Sequence, residues 1–234
     1  MAGYNRAHKA VETIVMCASG SATLLLARRF ATSDAIFTNG EVALSAFYCV
    51  VAVLLGIASA DFVSGFFHWM FDTWWDPDLF LLGPWAIHPF REHHVDPKAI
   101  TRHDFVHVNG SNFLLAFFVS GPFGFVSPPE SPFVCLYLAV FTGFVCFTSQ
   151  IHKWSHSEVV PKYVHILRTL RLAIEVDHHA EHHDAPYDRS YCITTGWLNR
   201  PLQALRFFTT LEVIVTALTG AQPRRDDVQQ TNLA

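Results

Sequence analysis

The chain has 234 residues, of which 51% are hydrophobic and only 15% charged, and its formal net charge is −4. That length suits one domain. The charged share falls well below the ~25% usual for soluble proteins, which points to a membrane, and no basic run suggests nucleic acid. The five cysteines, Cys17, Cys49, Cys135, Cys146 and Cys192, form no CxxC pair and read as small hydrophobes, not as a disulfide framework or a zinc knuckle.

The N-terminal stretch MAGYNRAHKAVETIVMCASG has a basic lead and then turns apolar. No clean small-residue cleavage site follows before Arg28 and Arg29, so a retained helix over about residues 11–27 is expected, either spanning or interfacial. Three further stretches, 42–60, 111–129 and 131–151, carry no charge and approach the ~20 residues needed to cross a bilayer. SPPESP, residues 127–132, is a tight break between the last two. The expectation is all-α: one domain over 1–234, an integral membrane bundle of about four transmembrane helices. Two polar blocks, 61–110 and 152–234, then fall on one side by parity. They hold most of the Lys and Arg, so the positive-inside rule makes that side cytosolic.

The polar blocks also hold nearly all of the 14 histidines. His68 and Asp72 are four residues apart, so they share a helical face. IHPFREHHVDP holds His88, His93 and His94; ITRHDFVHVNG holds His103 and His107. QIHKWSHS places His152 and His156 at i and i+4. DHHAEHHDAP packs His178, His179, His182 and His183 into six positions. If that stretch is helical, His178 pairs with His182 and His179 with His183. Any one cluster alone reads as a solvated face or an interfacial anchor. Together they supply more nitrogen ligands than a zinc site of about four uses, so two ions, or one with a large outer shell, fit better. No cysteine lies near the clusters, which disfavours iron–sulfur and thiolate zinc sites. Iron, copper and zinc all remain open on the residues alone.

Clusters such as HxxHH and HxxxH at the ends of spans resemble the membrane-bound, histidine-rich di-iron desaturases and hydroxylases. The stretches ADFVSGFFHWMFDTWWD, PFREHHVDPKAITRHDF, QIHKWSH, the HHxxHH run, YCITTGWLNRPL and LTGAQPRRDD are, in that order, similar to the plasmanylethanolamine desaturase family. The likeness covers roughly residues 60–227. A plant chloroplast desaturase acting on phosphatidylglycerol is a more distant relative, lacking the RHDF histidine.

The resemblance implies a membrane oxidoreductase that dehydrogenates the alkyl ether chain of an ethanolamine phospholipid to the vinyl ether of a plasmalogen. It implies two iron ions in a cytosolic cap and O₂ as co-substrate. Electrons would come from NADH through a reductase and cytochrome b5, or from a ferredoxin-type donor. The membrane would be the endoplasmic reticulum in a eukaryote or the cytoplasmic membrane in a bacterium. Carried across, the metal-binding set is His68, Asp72, His93, His94, His103, His152, His156, His178, His179, His182 and His183. His8, His88 and His165 are left out. Trp69, Trp74, Trp75, Trp85, Trp154 and Trp197 are candidates to contact the lipid, although an ordinary interfacial belt explains most of them. The competing expectations are an acyl-lipid desaturase or lipid hydroxylase of the same class, and a metal transporter or sensor. A transporter would need ionisable groups within the spans, which are nearly free of them. A zinc hydrolase would normally carry HExxH, which is absent.

Overall fold

A computed structural model describes residues 6–33, 42–76, 78–80, 83 and 87–224. Among the described residues there are helices, turns and loops but no strands. The α-helices are α1 (Arg6–Ala31), α2 (Val42–Thr73), α3 (His88–Val95), α4 (Phe105–Gly121), α5 (Pro132–Ser155), α6 (Lys162–Thr169), α7 (Val176–Ala180), α8 (Asn199–Ala204) and α9 (Phe207–Thr219). Three of them, α1, α2 and α5, are long and apolar enough to cross a membrane. Their exposed faces bear large hydrophobes such as Ile14, Leu24, Phe47, Leu54 and Phe147, which a soluble helix would turn inward.

The helices do not stop where the apolar runs stop. The uncharged stretch 42–60 lies within α2, which continues to Thr73. At 1.5 Å per residue α2 is about 48 Å long, against ~30 Å of hydrocarbon. A span that begins at Val42 would leave His68 and Asp72, in the last two turns, beyond a bilayer's apolar depth. The expected span 111–129 is displaced: α4 begins at Phe105, where the Asp104 side chain accepts from the His107 backbone N–H at 3.1 Å. It gives way at Gly121 to a π-helical turn, Pro122–Val126. Proline removes a backbone donor and ends the α-helical ladder there.

The chain divides into two compact units. The first comprises residues 1–60 and 104–150. In it α1 packs on α4, Thr23 Oγ1 meets Thr142 Oγ1 at 2.9 Å, and Leu26, Cys135, Leu138 and Ala139 form one apolar cluster. The second comprises residues 61–103 and 151–234. Its apolar part gathers Trp69, Trp74, Tyr191 and Phe208, with a smaller cluster of Ile151, Ala173 and Ile174. Trp69 and Trp74 are thus core residues of this unit. Trp154 packs on the smaller cluster, Trp197 Nε1 donates to the Arg171 carbonyl at 2.7 Å, and Trp75 is exposed. Trp85 lies outside the described residues.

The loop between α7 and α8 is held to α2 by a buried carboxylate. Asp61 Oδ1 accepts backbone N–H groups from Thr195 (2.7 Å) and Gly196 (2.9 Å), and Oδ2 accepts from Leu198 (3.0 Å). One helical turn on, Gly65 lets the loop approach closely; a Cβ there would collide with Cys192 Sγ. Asn199 closes the loop with two bonds to the Cys192 backbone, at 2.7 and 2.9 Å.

Candidate metal centre

All of the clustered histidines belong to the second unit, where they sort into two groups. The first consists of His93, His152, His156, His179 and His183; the second of His68, Asp72, His94 and His182. Within each group the ligand-type atoms lie within 4.8 Å of one another. In the first, His152 Nε2 is 2.9 Å from His93 Nε2 and 3.0 Å from His179 Nε2. His179 Nε2 also lies 2.7 Å from His156 Nε2 and 3.1 Å from His183 Nε2. In the second, Asp72 Oδ2 lies 3.3, 3.6 and 3.4 Å from Nε2 of His68, His94 and His182, and the last two nitrogens are 3.0 Å apart.

Local sequence explains the division. Successive residues on a helix point about 100° apart. Neighbouring rings in α3, and in the tight turn that follows α7, therefore point in different directions: His93 and His183 to the first group, His94 and His182 to the second. The rings of His182 and His68 are 4.3 Å apart and those of His182 and His183 5.5 Å, so the groups are neighbours. A helical reading of 177–186 holds only in part, because α7 ends at Ala180. Beyond it His182 N–H bonds the His179 carbonyl and His183 N–H the Ala180 carbonyl, both at 3.0 Å. These i→i+3 bonds tighten the turn. His179 and His183 still meet, but His182 turns away from His178.

Two rings are oriented from behind. His68 Nδ1 donates to the Tyr191 carbonyl at 3.0 Å, and His182 Nδ1 to the Arg189 carbonyl at 2.8 Å. A carbonyl only accepts, so the proton sits on Nδ1 and each Nε2 presents a lone pair to its group. Burial, reinforced by neighbouring rings, pushes the His93 and His179 imidazoles well below their ordinary pKa. Burial also lowers His156 to about 4 and is the main cause of a larger fall at His183. Neutral imidazole is the ligating form.

These residues fit metal ions. Both Asp72 oxygens and His68 Nε2 are buried without a hydrogen-bond partner, which is costly unless a cation completes them. A metal with bonds of ~2.1 Å holds neighbouring donors about 3.0–3.4 Å apart, close to the spacings found. His103 and His178 lie outside both groups: the His103 carbonyl accepts from Lys153, and His178 Nε2 lies 3.4 Å from Asn199 Nδ2. Exposed His165 lies apart as well. Sequence reasoning gave no role to Asp61, Gly65 or Tyr191, although the first two sit in ADFVSGFFHW and the third in YCITTGWLN. Their only signal was a buried-type polar or small residue within a long motif.

A family model, the lipid desaturase domain, matches residues 57–226. The chain belongs to the lipid desaturase family. A plasmanylethanolamine desaturase of Myxococcus xanthus is 48% identical over 76% of this chain and 64% of its own length. Plasmanylethanolamine desaturase 1 of Mus musculus is 42% identical over 77% of this chain and 69% of its own. Fatty acid desaturase 4 of Arabidopsis thaliana chloroplasts is 32% identical over 75% and 55%. The chain thus spans less than two thirds of the Myxococcus and Arabidopsis relatives. No solved structure matches. The family match covers both histidine groups, from His68 to His183, and leaves the whole of α1 outside.

Proposed function

We propose that this chain is an integral membrane di-iron plasmanylethanolamine desaturase. It would act on 1-O-alkyl ethanolamine phospholipids to form the vinyl ether of plasmalogens. The observation that carries the reading is the pair of adjacent groups, five histidines in one and three histidines with Asp72 in the other. The names of the relatives at 48% and 42% identity support the substrate. The nine residues of the two groups are the proposed ligands. His103 and His178, which lie outside both, are not carried into the set.

The reaction takes two hydrogens from adjacent carbons. With two electrons and two protons from a donor, these reduce O₂ to two waters. Bound iron would supply the oxidising power that no side-chain base has. The protein's part is to hold and orient. Eight imidazoles ligate without adding negative charge, and Asp72 supplies one carboxylate. The Tyr191 and Arg189 carbonyls fix the tautomers of His68 and His182. Burial keeps the rings neutral and bulk water away. The groups sit at the ends of α2 and α5, not midway along them. That register suits carbons just below the glycerol rather than the middle of a chain.

We place the site on the cytosolic face, from the concentration of Lys and Arg in residues 61–110 and 152–234. The electron donor is taken to be NADH through cytochrome b5, or a ferredoxin-type protein. The membrane would be the endoplasmic reticulum or the bacterial cytoplasmic membrane. The test is lipid analysis of plasmalogen-deficient cells expressing this chain. Vinyl ethers release fatty aldehyde in acid and alkyl ethers do not. The reading expects acid-releasable aldehyde that depends on the chain and O₂; an unsaturated acyl lipid with no aldehyde replaces it with an acyl-lipid desaturase.

A further inference from the structure

A cleft in the second unit opens beside the Asp72 group. Its lining includes Asp72 and His94, Tyr187 stacked on His94 with ring centroids 4.8 Å apart, and three further charged residues, Asp188, Glu212 and Arg224. The space for a small group is about 30 Å³. A water needs roughly 10–15 Å³ by this measure, so the enclosed part admits a group the size of a primary ammonium, and anything larger has to extend out through the open side of the cleft.

The charges are fixed in place. Arg224 donates its backbone N–H to the Thr73 carbonyl and Nη1 to the Trp75 carbonyl, each at 2.9 Å, which pins it at the end of α2. Glu212 Oε1 accepts from Trp69 Nε1 at 3.2 Å. The surroundings are those of a membrane surface. Trp75, Leu79 and Phe80 are exposed just beyond α2. On α9, Val213, Ile214 and Leu218 form an exposed apolar face, while neighbouring Glu212 reaches the cleft. Such a face belongs against lipid.

We propose that this cleft and its open side receive the phosphoethanolamine head of the lipid substrate, with the ammonium innermost. The Asp188 and Glu212 carboxylates take the primary ammonium, and Arg224 takes the phosphate. The inference rests on the function proposed above and deepens it. Two carboxylates in a small space favour an ammonium that donates three N–H bonds over a trimethylammonium, which is larger and donates none. With the head held here, the glycerol and the first carbons of the ether chain lie within a few bonds of Asp72 and His94. Headgroup binding thus sets the register of the reacting carbons.

The experiment compares 1-O-alkyl lipids with identical chains and either an ethanolamine or a choline head. Turnover to vinyl ether is measured with the holoprotein in vesicles. Binding is measured separately, with short-chain ether lysolipids in detergent. Wild type is expected to favour ethanolamine by at least about tenfold in both assays. Asp188→Asn with Glu212→Gln should remove most of that preference, chiefly through KM. Arg224→Gln should weaken both lipids alike. Asp188 is exposed, so Asp188→Asn alone keeps the test available if the double variant fails to fold. Water-soluble glycerophosphoethanolamine competing as well as the lysolipid would overturn a lipid-head site in favour of a site for free phosphoethanolamine. Binding selectivity unchanged by the carboxylate variants overturns the inference. Selective binding without vinyl ether production strikes only the function proposed above.

Discussion

The Nε2 atoms of His156 and His179 lie 2.7 Å apart, and that same His179 nitrogen meets His152 and His183 Nε2 at 3.0 and 3.1 Å. An imidazole nitrogen carries at most one proton, so it cannot donate to three neighbours. Neutral rings here turn lone pairs toward one another, and only a cation satisfies them together. We expect two irons per chain on elemental analysis of the active protein. Stripping them should lower stability by at least about 3 kcal/mol, the gain from a ligand held well above its dissociation constant, and ferrous ion should restore it. A single metal per active chain contradicts the two-group reading.

Acid should act on the same contacts. His93, His156, His179 and His183 have folded pKa values below the unfolded 6.5, with burial as the leading cause. The unfolded chain then binds more protons below pH 6.5, so stability falls as pH falls. The contribution is complete above about 6.5 and is lost through about 4, where His156 titrates. Metal ligation deepens the effect without changing its sign, because protons compete for the same nitrogens. Thermal midpoints recorded from pH 8 to pH 4 should be flat and then fall below about 6.5. A midpoint that rises on acidification runs against this assignment.

Asp61 makes the strongest single anchor of the loop that follows the histidine run. Asp61→Ala leaves the N–H groups of Thr195, Gly196 and Leu198 without their acceptors. An unmade buried bond costs about 1–3 kcal/mol, so at least about 3 kcal/mol should be lost. Because the Tyr191 carbonyl that orients His68 lies just upstream, iron content should fall too. Full metal loading with a large drop in stability would separate the anchor from the site. Asn, with one carbonyl oxygen, should rescue only in part.

The membrane helices were legible in the sequence because uncharged runs of about 20 residues have few other uses. Their ends were not, since α2 continues as a helix through polar residues to Thr73. The histidines were legible as a set, but not their sorting into two groups. That sorting depends on the angle between neighbouring residues in His93-His94 and His182-His183, and on the i→i+3 turn after Ala180. His178 entered the expected set through the family resemblance, and its place outside both groups was not legible because a continued helix would have stacked it over His182. Asp61 and Gly65 escaped notice because their partners are more than a hundred residues away in sequence.

Gly65→Ala tests how closely α2 and the loop must approach. The added methyl would collide with Cys192 Sγ and come within 3.1–3.2 Å of the Cys192 backbone. Overpacking of this kind costs about 1–3 kcal/mol. Adding Cys192→Ala removes the sulfur but not the backbone contact, so stability should return only in part. Full recovery in the double variant would mean that the sulfur alone limits the approach.

The sharpest division concerns residues that look alike in sequence. His178, His179, His182 and His183 share one motif, yet only the last three have a ligand-type nitrogen in a group. His179→Ala removes the nitrogen that three others surround, and His182→Ala removes the one set by the Arg189 carbonyl. Both should abolish turnover and reduce bound iron. His178→Ala leaves all nine atoms in place and loses a long contact to Asn199, at 3.4 Å, together with the packing of its ring against Gly196. It should keep its metal and most of its activity, with a stability loss of no more than about 1 kcal/mol. His103→Ala should likewise keep its iron, because the Lys153 bond uses the His103 backbone carbonyl and not the ring. Iron counts decide the matter independently of activity: a His178→Ala or His103→Ala protein that folds but holds fewer than two irons would require that ring to be placed among the ligands.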